Sequence, residues 1–187
     1  MNPTVVKHVS EVSTRRPTFL AIGVFDGVHL GHQALLKRMI NEAHAAGAQA
    51  AALTFFPHPQ VVIRGATGRL YLSTLAERVN WLTAVGLDLI IPHTFDETTR
   101  NTRAADFIDE LHQYLDLKQL WSGDFGLGYR REGTAVFLTE LGQTRGFTVH
   151  EMKNLLLLDG QRFSSTRVRE ALAAGEVAQV ARLLGRP

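Results

Sequence analysis

Thr18-Phe19-Leu20-Ala21-Ile22-Gly23-Val24-Phe25-Asp26-Gly27-Val28-His29-Leu30-Gly31-His32 opens on an apolar run and closes on glycines and histidines. The run shows almost no polar alternation, which suits a central strand covered on both faces of a sheet. From Gly23 the glycines bend the chain, and the apolar spacing beyond His32 is that of a helix. A strand that turns through such a bend into a helix attracts anions. The N–H groups of the first turn lack partners, the helix dipole is positive there, and glycine lets the backbone come close. His29 and His32 stand three residues apart at the helix entrance. Both imidazoles are therefore expected to reach one spot, each donating a hydrogen bond to a phosphate oxygen.

Working outward, Leu35, Leu36, Met39, Ile40 and Ala43 place a helix from His32 to Ala46, stopped by Gly47, and Gln49 to Phe56 follows as a second strand. Strand, helix and strand at this length form a βαβ unit with a right-handed crossover. Met1 to Arg16 reads as a polar leader, Gln60 to Leu72 as a loop or short irregular excursion, and Ser73 as the N-cap of a helix carrying Leu75, Val79, Leu82 and Val85. Leu87 to Ile91 reads as a strand, Phe95 to Arg103 as a loop, Ala104 to Leu115 as a helix, and Gln119 to Ser122 as a short strand. Gly123 to Gly133 is too rich in glycine for either element. A helix near Val136 to Thr144, a strand near Phe147 to Met152, a hairpin about Asp159-Gly160, a helix capped by Ser164 to Thr166 and a last helix from Glu176 to Leu184 complete the reading. Alternating strands and helices predict an α/β protein with a doubly wound parallel sheet, whose ligands lie at the carboxyl ends of the strands.

The 187 residues, 45% hydrophobic and 20% charged, suffice for one globular domain over 1–187. Twenty basic and 18 acidic residues are interspersed, so no nucleic-acid face, polybasic membrane anchor or protein partner is indicated, whereas small anionic ligands need only a local cluster. The absence of cysteine excludes disulfides, thiolate metal sites and cysteine nucleophiles. Without a signal-like apolar segment near Met1, a cytoplasmic location is expected.

Gly23, Gly27 and Gly31 are spaced by four, which is not Gly-x-Gly-x-x-Gly, and no Gly-Lys-Ser/Thr is present. A phosphate site here must use side chains as well. Positioning and charge stabilisation are the main tasks in moving a nucleotidyl group, and histidine donors fit them. The rival readings are a pair of surface histidines near a turn and a zinc site joined by His58. Asp26, inside the bend, is a repulsive neighbour of phosphate, a magnesium ligand, or a partner that holds the loop. Ser164-Ser165-Thr166-Arg167 makes a second anion-friendly helix entrance with a guanidinium fork.

The Gly-Val-Phe-Asp-Gly-Val-His-x-Gly-His stretch resembles the His-x-Gly-His signature of nucleotidylyltransferases, and within them the adenylylating module of bacterial FAD synthetases. Ser164-Ser165-Thr166-Arg167-Val168-Arg169 resembles that family's Ser-Ser-Thr-x-Ile-Arg element, and Thr54-Phe55-Phe56-Pro57-His58-Pro59 its Thr-Phe-x-Pro-His-Pro. Asp124-Phe125, Gly128, Arg131 and Gly133 match a loop that lies over nucleotide and flavin. Ser122 stands there for a glycine, Gly126 for a common arginine, and Leu127 for an aromatic residue. Shorter echoes include Leu75-Ala76-Glu77-Arg78 and the closing Leu183-Leu184-Gly185-Arg186-Pro187, after which bifunctional members carry a riboflavin kinase module.

The resemblance implies a Rossmann-like nucleotidylyltransferase fold and an FMN adenylyltransferase, a transferase making FAD and pyrophosphate from ATP and FMN with Mg2+. It implies His29, His32 and Arg167 as catalytic groups meeting around one phosphorus. Gly23, Val24, Phe25, Asp26, Gly27, Ser164, Ser165 and Thr166 would join them in binding ATP, and Pro57, His58, Pro59, Asp124, Phe125 and Leu127 would bind flavin. The kinase module is expected to be absent from these residues. The alternatives are a nucleotidylyltransferase for another phosphorylated acceptor and a non-catalytic flavin- or nucleotide-binding module.

Overall fold

A computed structural model describes residues 3–67, 70–152 and 156–186. The closing Pro187 and residues 68–69 of the expected loop lie outside the described residues.

The elements follow in the order β1 (Thr4–Val5), β2 (Pro17–Gly23), α1 (Leu30–Ala45), β3 (Gln49–Phe56), α2 (Pro59–Arg64), α3 (Leu75–Val85), β4 (Leu89–Thr94), α4 (Glu97–Asn101) and α5 (Ala104–Tyr114). After β5 (Asp116–Ser122) come α6 (Ala135–Arg145), β6 (Thr148–Glu151), the hairpin strands β7 (Leu157–Leu158) and β8 (Gln161–Arg162), α7 (Ser165–Ala173) and α8 (Val177–Leu184). Six strands form one parallel sheet in the order β1-β4-β3-β2-β5-β6. The doubly wound α/β expectation holds. The chain lays β3 and β4 on one side of β2, then crosses to place β5 and β6 on the other. The strand order therefore reverses between β2 and β5, where the crevice of such sheets opens.

β2 and β3 are buried almost throughout, and each face of the sheet carries its own apolar cluster. On one face Leu20, Ile22, Leu53 and Ile91 meet Phe107, Ile108 and Leu111 of α5. On the other, Phe19, Ala21 and Ala52 meet Leu36, Met39 and Ile40 of α1.

Several local expectations are corrected. The polar leader contributes β1, which pairs Thr4 with Leu89 and Val5 with Ile90, while Val6 and Val9 enter the core. A two-residue strand carries no readable alternation, and the open edge of β4 supplies its pairing. Gln60 to Leu72 begins inside α2, which has His58 as N-cap, Pro59 in its first turn and a left-handed Gly65 at its end. The segment from Phe95 to Arg103 contains α4, capped by Asp96. Thr74, not Ser73, caps α3, through a reciprocal capping box with Glu77. Ser73 turns inward to Asp26 instead.

Candidate active site

Gly23 ends β2 and Ser122 ends β5, so the Gly23–His32 loop and the Gly123–Gly133 loop flank the crevice at the switch point. Two cavities of about 280 and 630 Å³ open there, and Ile22, Gly23, Val24, Ser122 and Asp124 line both. They form one cleft over the strand ends.

The smaller cavity is walled by Gly23, Val24, Phe25, His29 and His32 on one side and Arg162, Phe163, Ser164 and Ser165 on the other. Two helices, α1 and α7, begin at it. Gly31 permits the approach: a Cβ there would lie 2.8 Å from the Cβ of Phe163, so any side chain would push the two entrances apart.

The His29 ring is buried, and its Nδ1 accepts the backbone N–H of His32 at 3.2 Å, capping α1. That bond needs an unprotonated Nδ1, which places the hydrogen of the neutral ring on Nε2. Burial lowers its pKa from 6.5 to about 4, against a raising contribution from Asp26. His32 lies stacked on His29, with ring centroids 3.6 Å apart at 15°, and meets Phe25 edge-on at 5.2 Å. Burial, then His29 and Arg78, hold its pKa well below the usual value. Its Nδ1 is buried without a hydrogen-bond partner among the described residues. The two imidazoles converge as expected, but as neutral rings, so they offer directed hydrogen bonding rather than charge.

Asp26 is resolved by its partners. Its carboxylate, 1% exposed, accepts the N–H groups of Leu72 and Ser73, the Ser73 hydroxyl, Arg78 at 3.3 Å and Arg169 at 2.7 Å. No capacity remains for a metal, and of the three readings loop-holding is the one that fits. Two guanidiniums around one carboxylate also leave one net positive charge beneath the loop. Asp26 and Gly27 lie behind the cleft rather than in its wall, whereas Gly23, Val24 and Phe25 face it. No group of three histidine or acidic residues able to hold a metal occurs among the described residues, so His58 does not join the pair in a zinc site.

Arg167 departs from the expected convergence. Its guanidinium donates to the carbonyls of Leu158 and Gln161 and lies 3.8 Å from Asp159, bracing the β7–β8 hairpin outside both cavities. Helical geometry explains this: Ser165 faces the cleft, and two residues later the side chain has turned about 200° away. Thr166 is likewise outside the cavity walls. Arg162 on β8 lines the smaller cavity and was not distinguished in sequence, where only its place two residues before the Ser164 cap marks it.

The larger cavity is lined by Phe55, Phe95, Phe107 and Tyr129, with His58, Pro59, Asp124 and Leu127 among its other walls. Burial, then Arg169, lowers the His58 pKa. Phe125 is buried in the core, and neither it nor Pro57 lines the cavity. Leu127 is also a core residue, pinned by reciprocal backbone bonds to Gly133. The space above Gly126 is occupied by the Arg131 guanidinium, 2.5 Å from where a Cβ would stand. Glu132 fastens this loop to α5 by accepting from Arg103 at 2.7 Å and from the Ala104 N–H at 2.8 Å.

A parallel sheet with paired histidines at its switch point and a two-chambered cleft defines the Rossmann-like class of nucleotidylyltransferase folds. Residues 11–167 match the family model described as FAD synthetase. A Geobacillus thermodenitrificans protein is 36% identical over 168 residues, which cover 90% of this chain and 89% of that protein. A Pseudomonas fluorescens protein named bifunctional riboflavin kinase/FMN adenylyltransferase is 39% identical over 89% of this chain and 53% of its own length. A Haemophilus influenzae protein of the same name is 35% identical over 90% and 55%. The chain thus spans about half the length of these two relatives. A solved structure described as a macrolide-efflux protein from Streptococcus pneumoniae superposes with a TM-score of 0.86, 24% identity, and coverage of 100% of this chain and 72% of that one, a likeness of fold alone. The chain belongs to the FAD synthetase family. Among the described residues no helix is long and apolar enough to cross a membrane.

Proposed function

We propose that this domain is an FMN adenylyltransferase, which forms FAD and pyrophosphate from ATP and FMN. The observation that carries the reading is the single cleft, which joins a histidine- and hydroxyl-lined chamber to a larger aromatic one across the shared walls of Gly23, Val24, Ser122 and Asp124. The triphosphate would occupy the first chamber, and the flavin ring the second, against Phe55, Phe95 and Phe107.

A phosphate oxygen of FMN then attacks the α-phosphorus of ATP, the bond from that phosphorus to the β-bridging oxygen breaks, and pyrophosphate leaves. The nucleophile is already anionic, so no general base is required. His29, as Nε2–H donor, and His32 would stabilise charge developing at the reacting phosphorus, together with the entrances of α1 and α7 and the Ser164 hydroxyl, whose oxygen accepts from the Arg167 N–H and whose hydrogen is left to donate. Arg162 would supply the cationic contact expected of Arg167, which instead braces the hairpin that presents it. Magnesium would arrive with ATP, held mainly by the substrate's phosphates and water, since Asp26 is fully engaged. A cytoplasmic setting accords with the absence of cysteine.

Pure protein with ATP, FMN and magnesium should yield FAD and pyrophosphate in equal amounts. Transfer to another phosphorylated acceptor in preference to FMN, or tight flavin binding with no pyrophosphate released, would replace this reading by one of its two rivals.

A further inference from the structure

The loop that carries His29 contains two non-glycine residues in the left-handed region, Phe25 at φ 49° and Val28 at φ 38°. For a β-branched residue such as Val28 that conformation is strained, and it persists only where the surroundings enforce it. The enforcement is visible carbonyl by carbonyl. Val24 O accepts from Thr54 and Arg78, Asp26 O from the Ser165 hydroxyl, Gly27 O from Arg186, and Val28 O from Gln33.

Arg186 differs from the other donors because it comes from beyond α8; like Thr54, Arg78 and Gln33 it lines neither cavity. Its guanidinium lies on the Trp81 ring, 3.6 Å from the centroid, donates to Gly27 O and reaches Val28 O at 3.5 Å. Two features fix the segment that delivers it. Gly185 ends α8 in the left-handed region at φ 72°, so close to α1 that a Cβ would stand 2.5 Å from a Leu30 methyl. Gln33 of α1 bonds Leu184 O at 3.1 Å while holding Val28 O at 2.9 Å.

We propose that Arg186 is a positioning residue for adenylyl transfer: from behind the cleft it locks the Gly27–Val28 backbone so that His29 caps α1 and keeps its ring aimed for the reaction. Cation–π stacking orients the fork, and the fork holds the two carbonyls before the strained residue's successor, His29, enters the site. The inference rests on the adenylyltransferase reading for its kinetic readout, and on loop geometry alone for its second.

Arg186→Ala and Arg186→Lys in the full chain test it. The alanine variant should lose at least tenfold in kcat while the dissociation constants for ATP and FMN stay within about twofold. The lysine variant should recover part of the loss, and added methylguanidine should partly rescue the alanine variant. By NMR, His29 should titrate near its low wild-type value in the lysine variant and shift toward 6.5 in the alanine variant as the cap loosens. In the alanine variant, unchanged kcat, a loss shared in proportion by substrate binding, or an unchanged His29 titration would overturn the proposal. A wild-type protein that makes no FAD would overturn the adenylyltransferase reading instead, and the titration would still decide the role of Arg186. Should the alanine variant fail to fold, Arg186→Gln, which removes the charge and the guanidinium fork but keeps a donor, is held to the same expectations as the alanine variant.

Discussion

His29 does two things with one ring: Nδ1 caps α1 and Nε2 carries the proton. Replacement by asparagine preserves a capping oxygen and removes the imidazole. His29→Asn should therefore fold and bind ATP within a few-fold of wild type, yet lose about 10²–10³ in kcat, as measured by steady-state FAD formation. The pH dependence of stability follows from the same ring. Its pKa is about 4 when folded against 6.5 for the ordinary group, so between these values the unfolded chain holds a proton that the native ring lacks. The associated stability is complete above pH 6.5 and is lost as pH falls toward 4, amounting to about 3 kcal/mol for this ring. His32 and His93 shift in the same direction, adding to the slope. Melting temperature should be level from pH 8 to 7 and fall below 6.5, less steeply in His29→Asn. The paired histidines were legible from spacing alone. Their neutrality was not, because it depends on Phe25, the stacked partner ring and the burial that tertiary packing provides.

Among the elements, length governs how much could be read. The 16-residue α1 and the eight-residue β3 repeat their periods often enough to declare themselves. The six-residue α2 does not: Val61-Val62-Ile63 looks strand-like, and the helix is announced only by Pro59 in its first turn and Gly65 at its end. Helical rotation likewise separates Ser165, facing the cleft, from Arg167, turned to the hairpin. The Tyr129–Arg131 turn offers a test of local strain. Arg130 is exposed, stacks on Tyr129 and sits at φ 52°. Arg130→Gly removes the left-handed penalty at a position with no core contacts to lose, and should raise stability by about 1 kcal/mol in urea unfolding. It should also weaken FMN binding if the rim cation attracts the acceptor.

At the scale of the molecule, Asp26 ties the β2 loop to the start of α3 and, through Arg169, to α7. Removing its charge strands two guanidiniums, one fully buried, so Asp26→Asn should cost about 3–5 kcal/mol in chemical denaturation. Ligands that fill the cleft bind only the folded chain. ATP and FMN, each at about 100 times its dissociation constant, should each add about 2.7 kcal/mol of stability, read as a rise in melting temperature. The amino-acid sequence by itself determined the alternation of strands and helices, the parallel sheet and the histidine loop at its centre, since these rest on periodicity, turn residues and contacts local in the chain. Only the tertiary structure decided that Asp26 is a strut, that Arg162 rather than Arg167 faces the cleft, and that Arg186 grips the loop from behind. Those outcomes depend on which side chains meet across separations of 46 to 159 residues, and on the rotation of each helix once packed, quantities that no local pattern encodes.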